Sequence, residues 1–509
     1  MFKFVENKLN NHLFYIQMGK KAIVIGAGIG GMASAIRLAH MGFNTTVYES
    51  NAFPGGKINS KQMGSYRFDM GPSVFTEPHL VNELLAIENK HPLEFDCWKL
   101  PVSCNYFFED GSIVSLPTGE EKVAQAFQDQ LGEDKELSLT YLKMIKKNYE
   151  AVYPVFISAS LHRFGQWMNR GVFWALSRIP KYGLFRTMDA VNKGYFKNEK
   201  TVQILNRFAT YNGSSPYRSP GLLSIIAHLE LNIGPYLPKG GMVSVSNTVY
   251  DKACSMGVQF RFNQRIEEII YAGNHISGVR SNEGVHPADI VVSNMDVHHT
   301  YEKLMPDIEP PKKILGQEKS TSAIVFYWGI KKNFPRLDVH NIFFSEQYAN
   351  EFESLFDAKD IINDPTIYIH ISSKIEHSDA PINGENWFVM VNAPINNGQD
   401  WDELRTRTRA NVLRKLSRIL DESIEDFIEV EDYTDPVRME SIYSGKQGSI
   451  YGNSSNSKMA AFYRHPNFSN KIKGLYFAGV TVHPGGGIPL ALNSAKIIEK
   501  CILKDFHLH

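Results

Sequence analysis

The chain has 509 residues, of which 43% are apolar, 12% aromatic and 21% charged. That length exceeds what a single hydrophobic core supports, and the composition excludes a disordered, collagen-like or coiled-coil chain. Its 54 basic and 54 acidic residues cancel, so the whole chain carries no net attraction for nucleic acid or for an anionic membrane. The four cysteines form neither a C-x-x-C pair nor a metal-binding spacing, which argues against a disulfide framework and favours a reducing cytoplasm.

The segment before the first strand is predicted to be an extension. Residues 1–17 lack the apolar run that a secretory signal needs, and Met18 stands directly before the first convincing strand. The richest apolar stretch, residues 220–237, is interrupted by His228 and Glu230, so no helix of about 18 apolar residues is predicted to cross a membrane.

A strand, a helix and a second strand open the folded part of the chain. Residues 22–25 form a short apolar run typical of a strand buried on both faces, and a glycine-rich loop follows at 26–31. A helix over 32–41 and a strand over 45–48, which ends at Glu49, complete the unit. This order predicts a dinucleotide-binding fold.

The glycines of this loop follow the spacing G-x-G-x-x-G. Gly26 permits the tight turn, Gly28 lets the backbone approach a pyrophosphate, and Gly31 lets helix and strand pack closely. An acidic residue at the end of the second strand accepts hydrogen bonds from a ribose. The predicted nucleotide-binding residues of this unit are Gly26, Gly28, Gly30, Gly31, Glu49 and Ser50.

A second glycine loop follows the acidic residue. A loop that combines glycines with a cation suits a cofactor whose diphosphate is held from two sides, which favours FAD over NAD. The alternative for either segment alone is a hairpin with glycine turns. The residues concerned are Gly55, Gly56 and Lys57, followed by Gly71, Pro72 and Ser73.

The C-terminal region combines a strand, glycines and a helix. A strand over 474–478 closes on Gly479, and residues 485–487 are three successive glycines before an Ala- and Leu-rich helix over 490–501. Such a turn predicts a backbone that passes close to something flat or charged.

Together, these motifs resemble the carotenoid desaturases of the phytoene desaturase type, which share the FAD-binding fold of amine oxidases. The resemblance implies an α/β fold with a discontinuous, Rossmann-like FAD domain. It also implies that Gly479 and Val480 approach the ribityl chain and the phosphates, and that Gly487, Ile488 and Pro489 lie along the isoalloxazine ring.

The resemblance covers most of the chain. Residues 211–216 and 234–242, with Glu230 between them, resemble the stretch that runs from the substrate region back into the flavin domain. Residues 257–260, 265–266 and 288–294 resemble the returning strands. In these strands Ile266 would touch the adenine end, and Asn294 is also assigned to the cofactor site.

We expect three units. The assignment is an FAD-binding domain of residues 18–90, 238–302 and 440–505, a sheet-containing substrate domain of residues 91–140 and 303–439, and a helical, membrane-facing lid of residues 141–237.

Within the family, residues 481–489 are more similar to the 3,4-desaturases of 1-hydroxylated carotenoids, because phytoene desaturases usually carry Thr at the position of Val482. The implied reaction is hydride transfer from the carotenoid to the flavin with loss of a proton, and oxygen or a quinone accepts the electrons. Sibling activities, a phytoene desaturase or a carotenoid isomerase, remain alternatives, as does a non-catalytic FAD-containing carotenoid carrier.

Candidate catalytic side chains are few. His483 is the candidate near the flavin, although it could equally order the turn that follows it. Glu230 and Tyr211 could assist proton removal or could simply be buried and hydrogen-bonded. No metal site is predicted, because four histidines lack a carboxylate or thiolate partner at ligand spacing: His298, His299, His507 and His509.

Residues 151–200 carry eight basic residues against two acidic ones, together with ten aromatic residues. The sequence predicts an apolar helix face opposite Arg163 and Arg170, and hence reversible, peripheral association with the inner face of the cytoplasmic membrane. The alternatives are a helical subdomain with solvated basic faces and, less favoured, single-stranded nucleic acid binding; we expect no nucleic acid partner. The predicted apolar face consists of Leu161, Phe164, Met168 and Val172.

Overall fold

The structure is a computed structural model that describes residues 19–89, 91–160, 162–163, 183–457, 460 and 463–506. Three predictions fall outside these residues: the extension at 1–17, the apolar helix face predicted over 161–172 apart from residues 162–163, and the role of the terminal histidines His507 and His509.

A five-stranded parallel sheet forms the first layer. Side chains along its central strand alternate between two cores: Val24 packs against the helices on one face, and Ile23 packs against the opposite face. The predicted burial of this strand on both faces is therefore confirmed. In spatial order the strands are Leu475–Phe477, Ile290–Ser293, Lys21–Ile25, Asn44–Tyr48 and Gln259–Arg261.

Three helices cover one face of this sheet, and a three-stranded antiparallel sheet lies against the other. The first helix begins at Ile29, three residues before the predicted start, because the glycine loop itself supplies the first turn. The last helix extends beyond the predicted 490–501 at both ends. The helices are Ile29–His40, Val243–Ser255 and Ile488–Asp505, and the antiparallel strands are Ile266–Ala272, His275–Ser281 and Gly284–Pro287.

A seven-stranded mixed sheet forms the second layer. Along one of its central strands, Ile324 and Phe326 face a core that includes the helix Trp401–Leu420, whereas Ala323 and Val325 pack on the opposite face in a cluster with Tyr66 and Phe68. In spatial order its strands are Ile428–Thr434, Ser322–Ile330, Glu385–Ala393, Ile367–Ile371, His340–Phe343, Val102–Phe107 and Ile113–Pro117.

A helical layer packs beside the far edge of the second sheet. Three of its helices begin at side-chain caps: Asp134 accepts a hydrogen bond from the Leu137 amide, Thr187 accepts one from the Ala190 amide, and Asn198 accepts one from the Lys200 amide. The helices are Glu120–Leu131, Lys135–Val152, Met188–Tyr195, Glu199–Asn206 and Ile225–Ala227, with short 3₁₀ or π turns at Tyr153–Ile157, Arg207–Asn212, Gly221–Ser224 and His228–Ile233.

Two antiparallel pairs of strands and several short helices complete the described structure. The paired strands are Ser60–Met63 with Tyr66–Asp69, and Cys97–Lys99 with Tyr236–Pro238. The short helices and turns are His79–Leu85, Val297–His299, Thr300–Leu304, Lys312–Leu315, Tyr348–Glu353, Ser354–Ala358, Ser372–Lys374, His377–Asp379, Ile424–Phe427, Pro436–Tyr443 and Lys446–Gly448.

Three further sequence-based predictions can be compared with the structure. Within the described ranges, no helix combines the length and the apolar character needed to cross a bilayer. All four cysteines are free thiols. The mixed α/β architecture that the sequence predicts is confirmed.

Candidate active site

One large cavity, with a volume of about 730 Å³, lies where the parallel sheet, the seven-stranded sheet and the helical layer meet. It joins a glycine-lined end to an apolar end. The predicted site residues that line it are Gly26, Gly28, Gly30, Glu49, Ser50, Gly55, Gly56, Lys57, Gly71, Pro72, Ser73, Ile266, Asn294, Gly479, Val480, His483, Gly487, Ile488 and Pro489.

Gly31 differs from these residues, because it lies beneath the loop instead of lining the cavity. A Cβ atom at Gly31 would lie 2.2 Å from the carbonyl oxygen of Gly26, which is closer than atoms can approach. The residue therefore allows the close packing of helix against strand that the motif predicts.

Two helix N-termini point their free amide groups at the cavity. The first helix begins after Gly28 and the last begins after Gly487, and both glycines line the cavity. Neither helix has a side-chain cap or an acidic residue in its first turn. Uncapped N–H groups at the positive end of a helix bind anions, so this end of the cavity fits a cofactor diphosphate.

Asn294 fills the space between the N-terminal and C-terminal glycine loops. A Cβ at Gly28 would lie 2.5 Å from Asn294 Oδ1, and one at Gly479 would lie 2.5 Å from Asn294 Nδ2. The Asn294 backbone amide donates to the Ile25 carbonyl over 2.8 Å. The asparagine thus contacts backbone from both ends of the chain, and a side chain on either glycine would displace it.

Glu49 stands at the end of the second strand, buried and largely occupied by protein donors. One carboxylate oxygen accepts the Ala27 amide over 2.7 Å, and the other accepts the Asn51 amide over 2.9 Å and the Ser50 hydroxyl over 3.3 Å. Oε2 keeps acceptor capacity, since a carboxylate oxygen can accept more than one hydrogen bond. Glu49 therefore orders the glycine loop and can also accept a ribose hydroxyl.

The second glycine loop lies directly against the first. The Gly55 amide donates to the Ala27 carbonyl over 2.8 Å, and the Lys57 ammonium donates to the Ile450 carbonyl over 2.8 Å. Burial lowers the pKa of Lys57 to about 8, and the Asp296 carboxylate opposes that shift. The cation thus faces the C-terminal segment across the cavity.

Arg464 is a site residue that the sequence analysis missed. It is buried at the cavity wall, and the described structure gives its guanidinium no carboxylate partner, only oxygen acceptors such as Asn212 Oδ1 at 3.1 Å and the Asn453 carbonyl at 3.2 Å. Burial lowers its pKa to about 10, so it remains charged at neutral pH. A Cβ at Gly485 would lie 3.1 Å from Arg464 Nε, which places a fixed positive charge beside the glycine turn.

His483 is buried beside the same turn. Its Nε2 lies 2.8 Å from the Ala159 carbonyl oxygen, so Nε2 carries the proton, and Nδ1 has no partner among the described residues. Burial lowers the pKa of His483 to about 3, so the imidazole is neutral at physiological pH. The hydrogen bond from Nε2 orders the turn, and Nδ1 remains without a hydrogen-bond partner among the described residues.

The residues that line the apolar end of the cavity were not identified from the sequence. Its walls come from the helical layer and from the inward face of the seven-stranded sheet. The continuous apolar run at 322–330 and the apolar stretch at 220–237 were the available signals, but neither shows which face meets the cavity. The apolar side chains at this end include Val152, Phe156, Ile157, Leu184, Leu222, Leu223, Ile226, Leu229, Val325, Ile342, Phe388 and Met390.

Glu230 and Tyr211 belong to one buried hydrogen-bonded cluster in this wall, together with Arg207, which the sequence analysis had not named. Arg207 and Tyr211 both donate to the Glu230 carboxylate. Ser103 donates to the same carboxylate over 2.7 Å, and Arg207 Nε donates to the Tyr106 hydroxyl oxygen over 2.9 Å. Both roles considered for Glu230 and Tyr211 therefore have a structural basis: they are buried and bonded, and they also reach the cavity.

One sequence-based argument is wrong. His298 and His299 do have a carboxylate neighbour, since the helical turn brings Glu302 to 3.5 Å and 3.2 Å from their Nδ1 atoms. The three ligand atoms lie within 4.8 Å of one another. The Lys446 ammonium bonds both oxygens of Glu302, at 3.0 and 3.3 Å, so a cation already occupies the carboxylate.

Comparison with known proteins identifies the family of this chain. Residues 29–498 match the family model of flavin containing amine oxidoreductases. The chain is 45% identical to a 1-hydroxycarotenoid 3,4-desaturase of Flavobacterium sp. (strain P99-3), covering 95% of this chain and 99% of that one. It is 32% identical to a 4,4'-diapolycopene oxygenase of Methylomonas sp., covering 96% and 98%.

Solved structures agree in fold. Cyclohexylamine oxidase from Brevibacterium oxydans IH-35A superposes with a TM-score of 0.62 at 14% identity, covering 96% of this chain and 99% of that one. The predicted fold and the predicted cofactor, FAD, are confirmed. The chain therefore belongs to the flavin containing amine oxidoreductase family, in its branch of carotenoid desaturases.

Proposed function

We propose that this FAD-dependent oxidoreductase is a carotenoid 3,4-desaturase that acts on a 1-hydroxylated carotenoid. The observation that carries the proposal is the continuity of one cavity from the glycine loops into an apolar end. The Flavobacterium relative, similar along nearly its whole length, names the substrate class and the bond. An oxidase of small polar amines would not need the long aliphatic wall described above.

The reaction removes two hydrogens from neighbouring carbons. A hydride leaves one carbon, a proton leaves the next, and a double bond forms between them. Bound FAD supplies the acceptor for the hydride. The chain itself excludes water through its apolar wall, aligns the polyene, and holds the Arg464 charge beside the glycine turn.

We also propose that the protein takes its substrate from the cytoplasmic face of a membrane. A long hydrocarbon has almost no free concentration in water, so the cavity needs an entrance that lipid can reach. Phe185 is 66% exposed and directly follows Leu184, which lines the cavity; Arg186 comes next. An exposed aromatic ring beside a cation suits a lipid headgroup region, which supports an entrance at this point.

The electron acceptor is proposed to be oxygen or a quinone. Purified enzyme reduced anaerobically by substrate would be mixed with oxygen or with a soluble quinone, and the return of the flavin absorbance would be followed. The compound that restores the flavin absorbance faster is the acceptor.

Co-expression with carotenoid precursors tests the activity. In cells that make a 1-hydroxylated carotenoid, we expect a product two hydrogens lighter, with an absorption band shifted to longer wavelength by one more conjugated double bond.

Other products would refute this assignment. Conversion of phytoene, isomerisation without loss of hydrogen, or an oxygenated product like that of the Methylomonas relative would assign another activity of the family. Bound pigment with no bleaching of the flavin under anaerobic conditions would indicate a carrier.

A further inference from the structure

A charged cluster interrupts the apolar wall of the cavity. Arg207 and Glu230 are 5% and 3% exposed, and both, together with Tyr211, reach the cavity surface. A hydrocarbon gains nothing from such a cluster, and burying charge disfavours folding unless the charge is paired. We propose that Arg207, Tyr211 and Glu230 form the subsite that binds the terminal hydroxyl group of the carotenoid, an inference that rests on the function proposed above.

The cluster retains hydrogen-bonding capacity on its cavity side. Among the described residues, Glu230 Oε1 accepts from Ser103 and Arg207, whereas Oε2 accepts only from Tyr211. Within the part of the chain that the structure describes, Arg207 Nη1 donates one bond, to the Tyr211 hydroxyl oxygen at 3.3 Å. An alcohol needs one acceptor and offers one, so it can donate to Glu230 Oε2 and accept from Arg207 Nη1.

The protonation states of Tyr211 and Arg207 suit these hydrogen bonds to an alcohol. Burial and the adjacent Glu230 carboxylate hold the pKa of Tyr211 well above its usual value, so the phenol stays protonated and donates. The Glu230 carboxylate raises the pKa of Arg207 despite burial, so the guanidinium stays charged. The subsite therefore presents a fixed donor and a fixed acceptor to the cavity.

The cluster is close to the glycine turn predicted to run along the flavin ring. The residue after Tyr211, Asn212, bonds Arg464, whose Nε would lie 3.1 Å from a Cβ on Gly485. Tyr451, whose Cδ1 would lie 2.4 Å from a Cβ on Gly486, also packs against the backbone that follows Asn212. A hydroxyl on carbon 1 lies only two carbon–carbon bonds from carbon 3, so its subsite has to be this near the reacting bond.

A second buried carboxylate and phenol, Glu77 and Tyr149, also line the cavity and bond each other. They have no guanidinium partner among the residues described, and burial raises the pKa of Glu77, which disfavours the charged acceptor form. The pair therefore offers a weaker acceptor and no cationic donor. It serves as the matched comparison for the proposed subsite.

The test compares two substrates that differ only at the hydroxyl group: a 1-hydroxylated carotenoid and the same carotenoid with hydrogen in its place, both in liposomes. The measured quantity is the ratio of kcat/KM for the hydroxylated substrate to kcat/KM for the substrate without the hydroxyl group. The ratio of Kd for the product without the hydroxyl group to Kd for the hydroxylated product, from quenching of tryptophan fluorescence, is measured in parallel. The variants are E230Q, Y211F and, as control, Y149F.

We expect E230Q to lower both ratios by about tenfold or more, since a neutral amide replaces a charged acceptor. Y211F should keep both ratios at or above the wild-type value, because it leaves Glu230 Oε2 and Arg207 Nη1 to the substrate alone. A purely structural cluster would not separate the two variants in this way. Y149F should leave both ratios unchanged.

Three results would overturn the assignment: wild-type ratios in E230Q, a parallel fall of the ratios in E230Q and Y211F with flavin content intact, or a change confined to Y149F. If E230Q loses its flavin, the test rests on Y211F alone. In that case, a fall of the Y211F ratios below the wild-type values refutes the subsite. Failure of the proposed function is distinguishable, because wild-type enzyme would then not desaturate the hydroxylated substrate at all.

Discussion

Replacement of Gly31 by alanine tests the packing beneath the glycine loop. The new Cβ would lie 2.2 Å from the Gly26 carbonyl oxygen, so the loop has to move by roughly 1 Å. Overpacking of this kind costs about 1–3 kcal/mol, and the gain in helix propensity returns about 0.5–1 kcal/mol. We expect a net loss of about 0.5–2 kcal/mol in the free energy of unfolding.

The displaced loop should also weaken flavin binding. Gly26 lines the cavity, and a loss of 1.4 kcal/mol in binding corresponds to about tenfold in Kd. The assay is urea unfolding together with the flavin absorbance that remains per chain after gel filtration.

The control is G194A, the same substitution inside the helix Met188–Tyr195. There the nearest atom to the new Cβ is the mobile Arg186 Nη2 at 3.4 Å, and we expect stability to rise slightly. If G31A keeps wild-type flavin affinity and stability, the packing argument for the loop is wrong.

Three further outcomes are expected. N294A, which empties the space between the two glycine loops, should release flavin during gel filtration; retention of the wild-type content would contradict the role assigned to this side chain. F185S should weaken sedimentation with anionic vesicles by about tenfold, while L93S, at a residue 86% exposed, should not; equal effects would argue against the proposed entrance. Burial raises the pKa of Glu351 from 4.5 to about 7, so the folded chain binds the extra proton and the free energy of unfolding should fall by up to about 3 kcal/mol as pH rises through that window. E351Q should abolish this slope between pH 5 and 8 in urea unfolding, and an unchanged slope would exclude Glu351 as its source.

Local patterns in the sequence predicted the parts of the site that depend on local backbone geometry. The turn at Gly26 and the acidic end of the second strand at Glu49 each belong to one short segment, whose spacing alone restricts the conformation. The start of the first helix was placed three residues late, because glycine has low helix propensity and yet Gly30 and Gly31 lie inside the helix.

Long-range packing accounts for what the sequence could not show. Arg464 becomes a site residue only because it meets Gly485 across a turn, and Arg207 only because a π turn brings Glu230 against it. The order of the seven-stranded sheet likewise depends on pairings between distant segments, such as Val102–Phe107 beside His340–Phe343. Hydrophobic periodicity specifies faces but does not specify partners.

The strand order of the parallel sheet determines when the protein can first hold its cofactor. Lys21–Ile25 pairs with Ile290–Ser293, which in turn pairs with Leu475–Phe477. At usual rates of synthesis, about 20 to 90 s separate the translation of the first of these strands from that of the last. The parallel sheet that carries the glycine loops is therefore completed only near the end of synthesis, when the strand Leu475–Phe477 has been made.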